Sequence, residues 1–210
     1  MRNYRPHIKL FRNIGSSLFL LACLLWTPSD FVWAGGPFTG TFDPSLGLII
    51  HIYPEGSSTE VSSMNFGTLT PFTDSNGGQT LRCAGGFKVM IYPQPTGHTY
   101  QITCTGTVLT NSAGNTLPSG ACVVAPSYSG FDNDFGAGPT SMPADASVGT
   151  SGPWGPSSRV LYNSGFNGEY RAIQAHFAIT DDGNTGATAA VRIDQPSGSY
   201  TGTVVISIVE

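Results

Sequence analysis

The residues that carry chemistry in this chain are few, and the cysteines are the first to consider. Cys83, Cys104 and Cys122 follow a hydrophobic N-terminal segment. Cys104 and Cys122 are equidistant from Ala113, at the centre of a stretch, residues 111–115, whose composition is typical of a hairpin loop. Residues equidistant from a turn face one another across an antiparallel pair, so we predict a Cys104–Cys122 disulfide. A Cys83–Cys104 pair is the alternative.

The histidines and carboxylates form no recognisable catalytic or metal-binding motif. His51, His98 and His176 lie outside the H-x-H, H-E-x-x-H and C-x-x-C patterns that bind zinc. No G-x-S-x-G nucleophile motif occurs, and the sparse carboxylates lie in turn-like stretches. Residues 132–136 (DNDFG) resemble the start of a calcium loop, but Pro143 occupies the position of the closing Glu. An Asx-rich turn and another kind of calcium turn remain the alternatives there. We predict a protein that is not an enzyme and has no cofactor or metal.

The composition favours a β-rich protein. Nine Lys+Arg and thirteen Asp+Glu make up only 10% of the residues, where soluble domains carry about 25%. The 27 glycines and 15 prolines are too many for the long helices of a bundle or a doubly wound α/β enzyme. Hydrophobic residues, at 40%, are sufficient for a packed core.

The first 34 residues have the three parts of a secretory signal peptide. Four basic residues precede nine consecutive apolar ones, residues 18–26, and Val32 and Ala34 occupy the −3 and −1 positions of a cleavage site. Nine helical residues span about 14 Å, roughly half of a bilayer core, so we predict cleavage after Ala34 and no membrane insertion thereafter. The alternative is a lipoprotein acylated at Cys23. Export through the periplasm to the cell surface or the medium would favour disulfides.

The chain after Ala34 is acidic. It has 5 Lys+Arg against 12 Asp+Glu, a formal charge of −7, and its five cations are scattered. Nucleic acid and anionic lipid are therefore excluded as expected partners.

Beyond a short arm, residues 35–45, short apolar runs alternate with turns. From Leu46 the even-numbered residues are apolar, which is the period-two pattern of a strand. Further runs lie between Gly-, Pro-, Asn- and Asp-rich turns at residues 63–69, 86–92, 100–109, 121–125, 171–180, 187–193 and 200–209. Seven or eight short strands at this spacing predict one antiparallel β-sandwich domain over residues 46–210.

Residues 126–164 interrupt this rhythm with a long Gly-, Pro- and Ser-rich stretch. We predict a loop insertion there, because loops of this length are usually functional. Its aromatic side chains are candidates for stacking on sugar rings; they are Tyr128, Phe131, Phe135 and Trp154. The alternative is that they cover the core.

Two motifs resemble those of secreted bacterial pilin-like proteins. Residues 64–71 (MNFGTLTP) resemble an early strand of that group, and residues 198–208 (GSYTGTVVISI) resemble its last strand. The group includes spore-coat-U-type proteins and archaic chaperone–usher pilus subunits. The resemblance covers both ends of the domain and implies an immunoglobulin-like sandwich. In assembled pilins that sandwich lacks one strand, and an N-terminal arm of the next subunit fills the groove by strand addition.

The resemblance implies a non-enzymatic structural subunit of a cell-surface or extracellular assembly, such as a pilus, fimbrium or coat, with a role in cell adhesion. Its partners would be copies of itself or related subunits, and a periplasmic chaperone and usher. The candidate donor-strand residues are Phe38, Phe42, Leu46, Leu48, Ile50 and Ile52. Alternatively, residues 46–52 are the domain's own first strand. The second hypothesis is a monomeric module that binds carbohydrate or a surface through the aromatic residues of the insertion.

Overall fold

A computed structural model of the chain describes seven ranges of residues. They are residues 32–33 (as backbone), 47–73, 77–93, 98–128, 142–165, 172–179 and 186–210. The chain divides into two units, Met1–Asp30 and Phe31–Glu210, and every described residue belongs to the second unit. The signal-peptide prediction, apart from Val32–Trp33, and the predicted arm lie outside the described residues.

The described residues form an all-β fold with antiparallel sheets, as the sequence predicts. Its strands are β1 (Val32–Trp33), β2 (Leu48–Pro54), β3 (Thr70–Thr73), β4 (Gln79–Arg82), β5 (Phe87–Pro93), β6 (Gln101–Gly106), β7 (Thr110–Asn111), β8 (Cys122–Tyr128), β9 (Ser147–Val148), β10 (Gly152–Pro153), β11 (Arg159–Asn163), β12 (Ile173–Ile179), β13 (Val191–Arg192), β14 (Gly198–Thr201) and β15 (Val204–Val209). A 3-10 helix, Ser119–Ala121, precedes β8. Among the described pairs only β1 with β14 is parallel.

Two larger sheets share the main hydrophobic core. Their strand orders are β10-β8-β12-β5-β2 and β15-β6-β11-β9, and two smaller sheets have the orders β13-β4-β3 and β1-β14-β7. Since β8 contacts both β9 and β11, the β9 end of the four-stranded sheet lies over the β10 end of the five-stranded sheet. The strands β2 and β15 are therefore on the opposite side of the core. Fully buried side chains between the sheets include Ile91, Ile102, Leu161 and Phe177.

The period-two pattern decides which side chains of β2 reach this core. Leu48, Ile50 and Ile52 pack against the main core, whereas Ile49 and Tyr53 pack with β5 on the outer face of the sheet. Strand β6 buries alternate residues, as does β12 over its first five residues. In β2, alternation identified the core-facing side chains correctly.

The predicted strand at residues 63–69 is wrong. This segment contributes Met64, Phe66 and Leu69 to the core without forming a strand. The Phe66 ring packs edge-on against Phe87, with 5.1 Å between the ring centroids. Alternating apolar residues thus fill the core from an irregular segment.

The predicted loop insertion over residues 126–164 is also wrong in its second half. That half contains β9, β10 and β11, and β11 lies inside the four-stranded sheet between β6 and β9. The sequence signal is weak because the five residues of β11 stand between Gly-, Pro- and Ser-rich stretches. Their pairing with β6 over a long sequence separation stabilises the strand.

The turn at residues 111–115 forms as predicted, but its two arms separate. The amide of Asn111 donates to the carbonyl of Asn115 at 2.9 Å, and the amide of Leu117 donates to the carbonyl of Leu109 at 2.9 Å. Beyond Leu117 the 3-10 helix Ser119–Ala121 leads the chain into β8 of the five-stranded sheet, whereas β6 lies in the four-stranded sheet. The hairpin is therefore short.

Candidate functional site

The predicted Cys104–Cys122 disulfide is not formed. Cys104 lies in β6 and Cys122 in β8, and these strands do not pair, so the two residues do not face one another across a hairpin. Cys83, Cys104 and Cys122 are all buried and none of them forms a disulfide, so the alternative Cys83–Cys104 pair is not formed either. The prediction is wrong because it extended the hairpin pairing beyond Leu117.

Cys83 is held beside β12 by two hydrogen bonds. Its amide donates to the carbonyl of Ile179 at 3.1 Å, and its Sγ accepts from the amide of Ile179 at 3.2 Å. Cys122 pairs with Ile179 from the opposite side. Cys83 and Cys122 therefore flank Ile179 from opposite sides, and they form no disulfide with each other.

Burial makes two of these thiols unreactive. Burial, with a smaller contribution from the nearby Cys83, raises the pKa of Cys122 to about 12. Burial also raises the pKa of Cys104 to about 12, although the positive charge of Arg159 partly opposes this. Both thiols are protonated at neutral pH, and the thiolate is the reactive form. The arrangement favours a packing role over a redox role.

The candidate sugar-stacking residues do not form a platform in the described part of the chain. Trp154 is only 2% exposed. Its ring lies against Gly106, where an added Cβ would be 2.5 Å from ring atom Cε3. Tyr128 is half-buried against the main core, while Phe131 and Phe135 lie outside the described residues. The stacking role is therefore wrong for Trp154, which is a core residue.

The candidate donor residues that the structure describes lie in the domain's own sheet. Leu48, Ile50 and Ile52 belong to β2, which pairs antiparallel with β5 along its whole length. Of the two alternatives, the described part of this segment therefore forms the first strand of its own domain. Phe38, Phe42 and Leu46 lie outside the described residues.

The outer edge of β2 is partly covered. The amide of Val61 donates to the carbonyl of Ile52 at 2.8 Å, so the backbone N–H and C=O groups of Ile52 point away from β5. Leu48 and Ile50 share this direction because backbone groups alternate along a strand. Within the described residues no strand pairs with this edge. Two residues of β2 thus present backbone donors and acceptors to a further strand.

The outer edge of β15 is longer. The amide of Thr107 donates to the carbonyl of Thr203 at 2.9 Å. Because backbone groups alternate in direction along a strand, the N–H and C=O groups of the odd-numbered residues of β15 point toward β6. The backbone groups of Val204, Ile206 and Ile208 therefore point away from β6. Among the described strands, β15 pairs with β6 alone.

Both edges lie on one side of the core, which we call the open side. Neither β2 (LIIHIYP) nor β15 (VVISIV) contains Lys, Arg, Asp or Glu. Sequence analysis identified both segments as strands but did not identify their edges, because an edge is defined by distant pairing partners. The lack of charge in two apolar strands was the available signal.

The opposite side, which we call the closed side, ends in the two-residue strands β9 and β10. Loops continue the chain from both strands, and Arg159 connects them. Its Nε donates to the carbonyl of Pro153 at 2.8 Å, and its Nη1 donates to the carbonyl of Thr150 at 3.0 Å. Its guanidinium group lies over Gly152, where an added Cβ would be 2.6 Å from Nη2. A cleft of about 590 Å³ opens beside Arg159.

The described residues offer no metal centre and no membrane helix. No group of three or more His, Cys, Asp or Glu among them is arranged to hold a metal ion. None of the helices in the described ranges is long and apolar enough to cross a bilayer. His51 and His176 lie on the outer face of the five-stranded sheet, with His51 Nδ1 at 2.8 Å from Oε1 of Glu60.

The chain matches no protein-family model, no curated protein and no solved structure. Its function is therefore inferred from the two open strand edges and from the cleft on the closed side. These two features have different chemistry, and neither β2 nor β15 lines the cleft.

Proposed function

We propose that the protein is a secreted, non-enzymatic structural subunit of a cell-surface or extracellular assembly, in which subunits are joined by β-strand addition at the open side. The observation that carries the proposal is the presence of two uncharged strand edges, β2 and β15, on the same side of one core. A second strand would pair with the outward backbone groups of β15, or with those of Leu48 and Ile50 in β2, with which no described strand pairs.

Unprotected edges of this kind are unusual in monomeric proteins. Natural sheets protect their edges with charged residues, prolines, bulges or very short strands, because an open edge pairs with other chains. The closed side follows this rule with its two-residue strands. The open side does not, since β15 has six residues and an uncharged sequence. The edge of β15, which no described residue protects, is best explained if a strand of another subunit pairs with it.

The incoming strand would form two kinds of interaction. It would pair with the outward backbone groups of Val204, Ile206 and Ile208, and its apolar side chains would extend the core. Burial of the two phenylalanines of residues 35–45, Phe38 and Phe42, would contribute about 3–6 kcal/mol at about 1.5–3 kcal/mol each, before the entropic cost of association. The backbone hydrogen bonds along β15 would add to this contribution.

In this proposal the two main sheets are those of an immunoglobulin-like, pilin-like sandwich. The donor is the N-terminal arm, residues 35–45, with Phe38 and Phe42 as its apolar side chains, because Leu48, Ile50 and Ile52 already occupy a strand of their own domain. The partners are copies of the chain or related subunits, and a periplasmic chaperone and usher deliver it. Burial of Trp154 weighs against the alternative, a monomeric module that binds sugar by aromatic stacking.

The test compares residues 35–210 with a variant that lacks residues 35–45. Light scattering should find oligomers of the longer chain that persist in SDS and in reductant, and only monomers of the shorter one. Circular dichroism should show the same β-sheet content for both, because the deletion leaves β2 intact. A longer chain that stays monomeric at all concentrations would overturn the proposal.

A further inference from the structure

The cleft on the closed side is formed before any ligand binds. Three backbone hydrogen bonds connect its loops to the sheets. The amide of Gly106 donates to the carbonyl of Gly155 at 2.7 Å, and the amide of Trp154 donates to the carbonyl of Cys122 at 2.9 Å. The amide of Gly149 donates to the carbonyl of Leu161 at 2.9 Å. Its volume of about 590 Å³ is within the range of small-molecule sites. A ligand would therefore enter a cleft whose backbone is already ordered.

The cleft contains one positive charge and several hydroxyl groups. Arg159 lines it together with Ser119, Thr150, Ser157 and Ser158. None of the ion pairs between described residues includes Arg159. Its two hydrogen bonds are made to neutral carbonyl groups, so they hold the guanidinium group in place without neutralising its charge.

The hydrogen-bonding capacity of Arg159 is only partly used. A guanidinium group has five N–H donors, and the two hydrogen bonds to Pro153 and Thr150 use two of them. The three others are on Nη1 and Nη2. A guanidinium group binds the two oxygens of a carboxylate more strongly than it binds neutral acceptors.

We propose that this cleft binds the carboxylate of an acidic sugar unit, such as a uronic acid. Arg159 supplies the charge-assisted hydrogen bonds to the carboxylate. The hydroxyl groups of Ser119, Ser157 and Ser158 pair with the hydroxyl groups of the sugar, and the volume exceeds what a lone carboxylate would fill. Neither β2 nor β15 lines the cleft, so strand pairing at the open side would not use its lining residues. The site stands independently of the proposed assembly.

The test is an NMR titration of the 15N-labelled secreted chain with glucuronate, glucose and acetate at about 0.15 M salt, where the Debye length is about 8 Å. Glucuronate should shift the amides of Thr150, Ser157 and Ser158, with at least tenfold higher affinity than glucose or acetate. Equal affinity for acetate would overturn the assignment to a sugar, and equal affinity for glucose would overturn the role of the charge. The absence of shifts in these amides would overturn the site.

Variants connect the binding to Arg159. Arg159→Gln should weaken glucuronate binding at least tenfold, and Arg159→Lys should weaken it less because it keeps the charge without the two-pronged geometry. The matched control is Arg192→Gln, an exposed arginine paired with Asp194 outside the cleft, which should bind as the unaltered chain does. If an Arg159 variant fails to fold, Ser158→Trp tests the site by filling the cleft from an exposed position. Unchanged affinity in folded Arg159→Gln or in Ser158→Trp would contradict the proposal.

Discussion

The two sides of the core differ in how their strand edges end. On the closed side, β9 and β10 are two residues long, and backbone hydrogen bonds and Arg159 hold the loops that continue them. On the open side, β2 and β15 have seven and six residues, and only Val61 covers part of one edge within the described ranges. Within the described ranges, one side of the fold therefore ends in very short strands held by the chain's own loops, whereas no strand pairs with the outer edges on the other side.

This difference separates residues that stabilise the fold from residues that join subunits. Substitutions on the closed side should lower the free energy of unfolding and leave association unchanged in the protein that still folds. Substitutions on the outward face of β15 should weaken association and leave the free energy of unfolding nearly unchanged. Three sets of substitutions test this separation, in order of decreasing effect on stability, and a change of pH tests the buried thiols of the core.

Of the substitutions that compare the two sides, Trp154→Ala should have the largest effect on stability at neutral pH. Removal of a fully buried aromatic ring costs about 3–5 kcal/mol, a large part of the total stability of a typical domain. Urea denaturation measures the loss. The matched variant on the open side, Val209→Ala, should lose less than about 0.5 kcal/mol, because Val209 is 50% exposed. Similar losses in the two variants would contradict the separation.

High pH should destabilise the fold through the buried thiols. The pKa of Cys104 and of Cys122 is about 12 in the folded chain, against 9.0 for an unperturbed thiol. Between these values the unfolded chain loses the proton that the folded chain keeps. The free energy of unfolding should therefore fall by about 1.4 kcal/mol per pH unit for each thiol from pH 9 to pH 12.

Urea denaturation of the unaltered chain and of the double variant Cys104→Val, Cys122→Ala at several pH values isolates this contribution. The double variant should show a shallower fall above pH 9. In the unaltered chain a thiol reagent should modify Cys104 and Cys122 only after denaturation. Equal slopes in the two proteins, or an intact mass that reveals a Cys104–Cys122 disulfide, would contradict the account.

Arg159→Lys should lower the free energy of unfolding by about 1–2 kcal/mol. The lysine keeps the charge but loses the hydrogen bonds to the carbonyls of Pro153 and Thr150, each worth about 0.5–1.5 kcal/mol. The control is Arg192→Lys, where an exposed ion pair with Asp194 contributes little. Thermal or urea denaturation should separate the two variants, and an unchanged Arg159→Lys protein would show that Arg159 does not hold the loops.

Lysines on the outward face of β15 should have the smallest effect on stability and a large effect on association. Ser207 and Val209 direct their side chains away from the core, so the double variant Ser207→Lys, Val209→Lys should change the unfolding free energy by no more than about 0.5 kcal/mol. Lysine protects natural strand edges from pairing. Light scattering should find this variant monomeric, while the control Ser207→Thr, Val209→Thr still assembles.

The fold class was predictable from the sequence because period-two alternation and frequent turns are local signals. Which strands pair with one another was not predictable, because pairing depends on residues that are distant in the sequence. The loop at residues 111–115 forms as the sequence predicts, yet its arms enter different sheets, and this separates Cys104 from Cys122. Strand β11 was missed because its stability depends on β6, more than fifty residues away in the sequence.

The candidate site depends on the same long-range pairing. The apolar character of β2 and β15 is visible in the sequence, whereas their positions as edges on one side require the strand order. Arg159 gave no sequence signal, because a single arginine in a Gly-, Pro- and Ser-rich stretch has no recognisable motif. The sequence left two interpretations of Trp154 open, since an isolated aromatic residue is compatible with a platform and with a core, and the burial of its ring decides for the core.

Amide hydrogen exchange at single-residue resolution tests the central claim most directly. In assembled residues 35–210, the amides of Val204, Ile206 and Ile208 should become protected relative to the monomer, in which they point away from β6. The amides of Val205 and Ser207, which face β6, should be protected in both states. Equal and rapid exchange of Val204, Ile206 and Ile208 in both states, together with equal exchange of Leu48 and Ile50, would contradict strand addition at the open side.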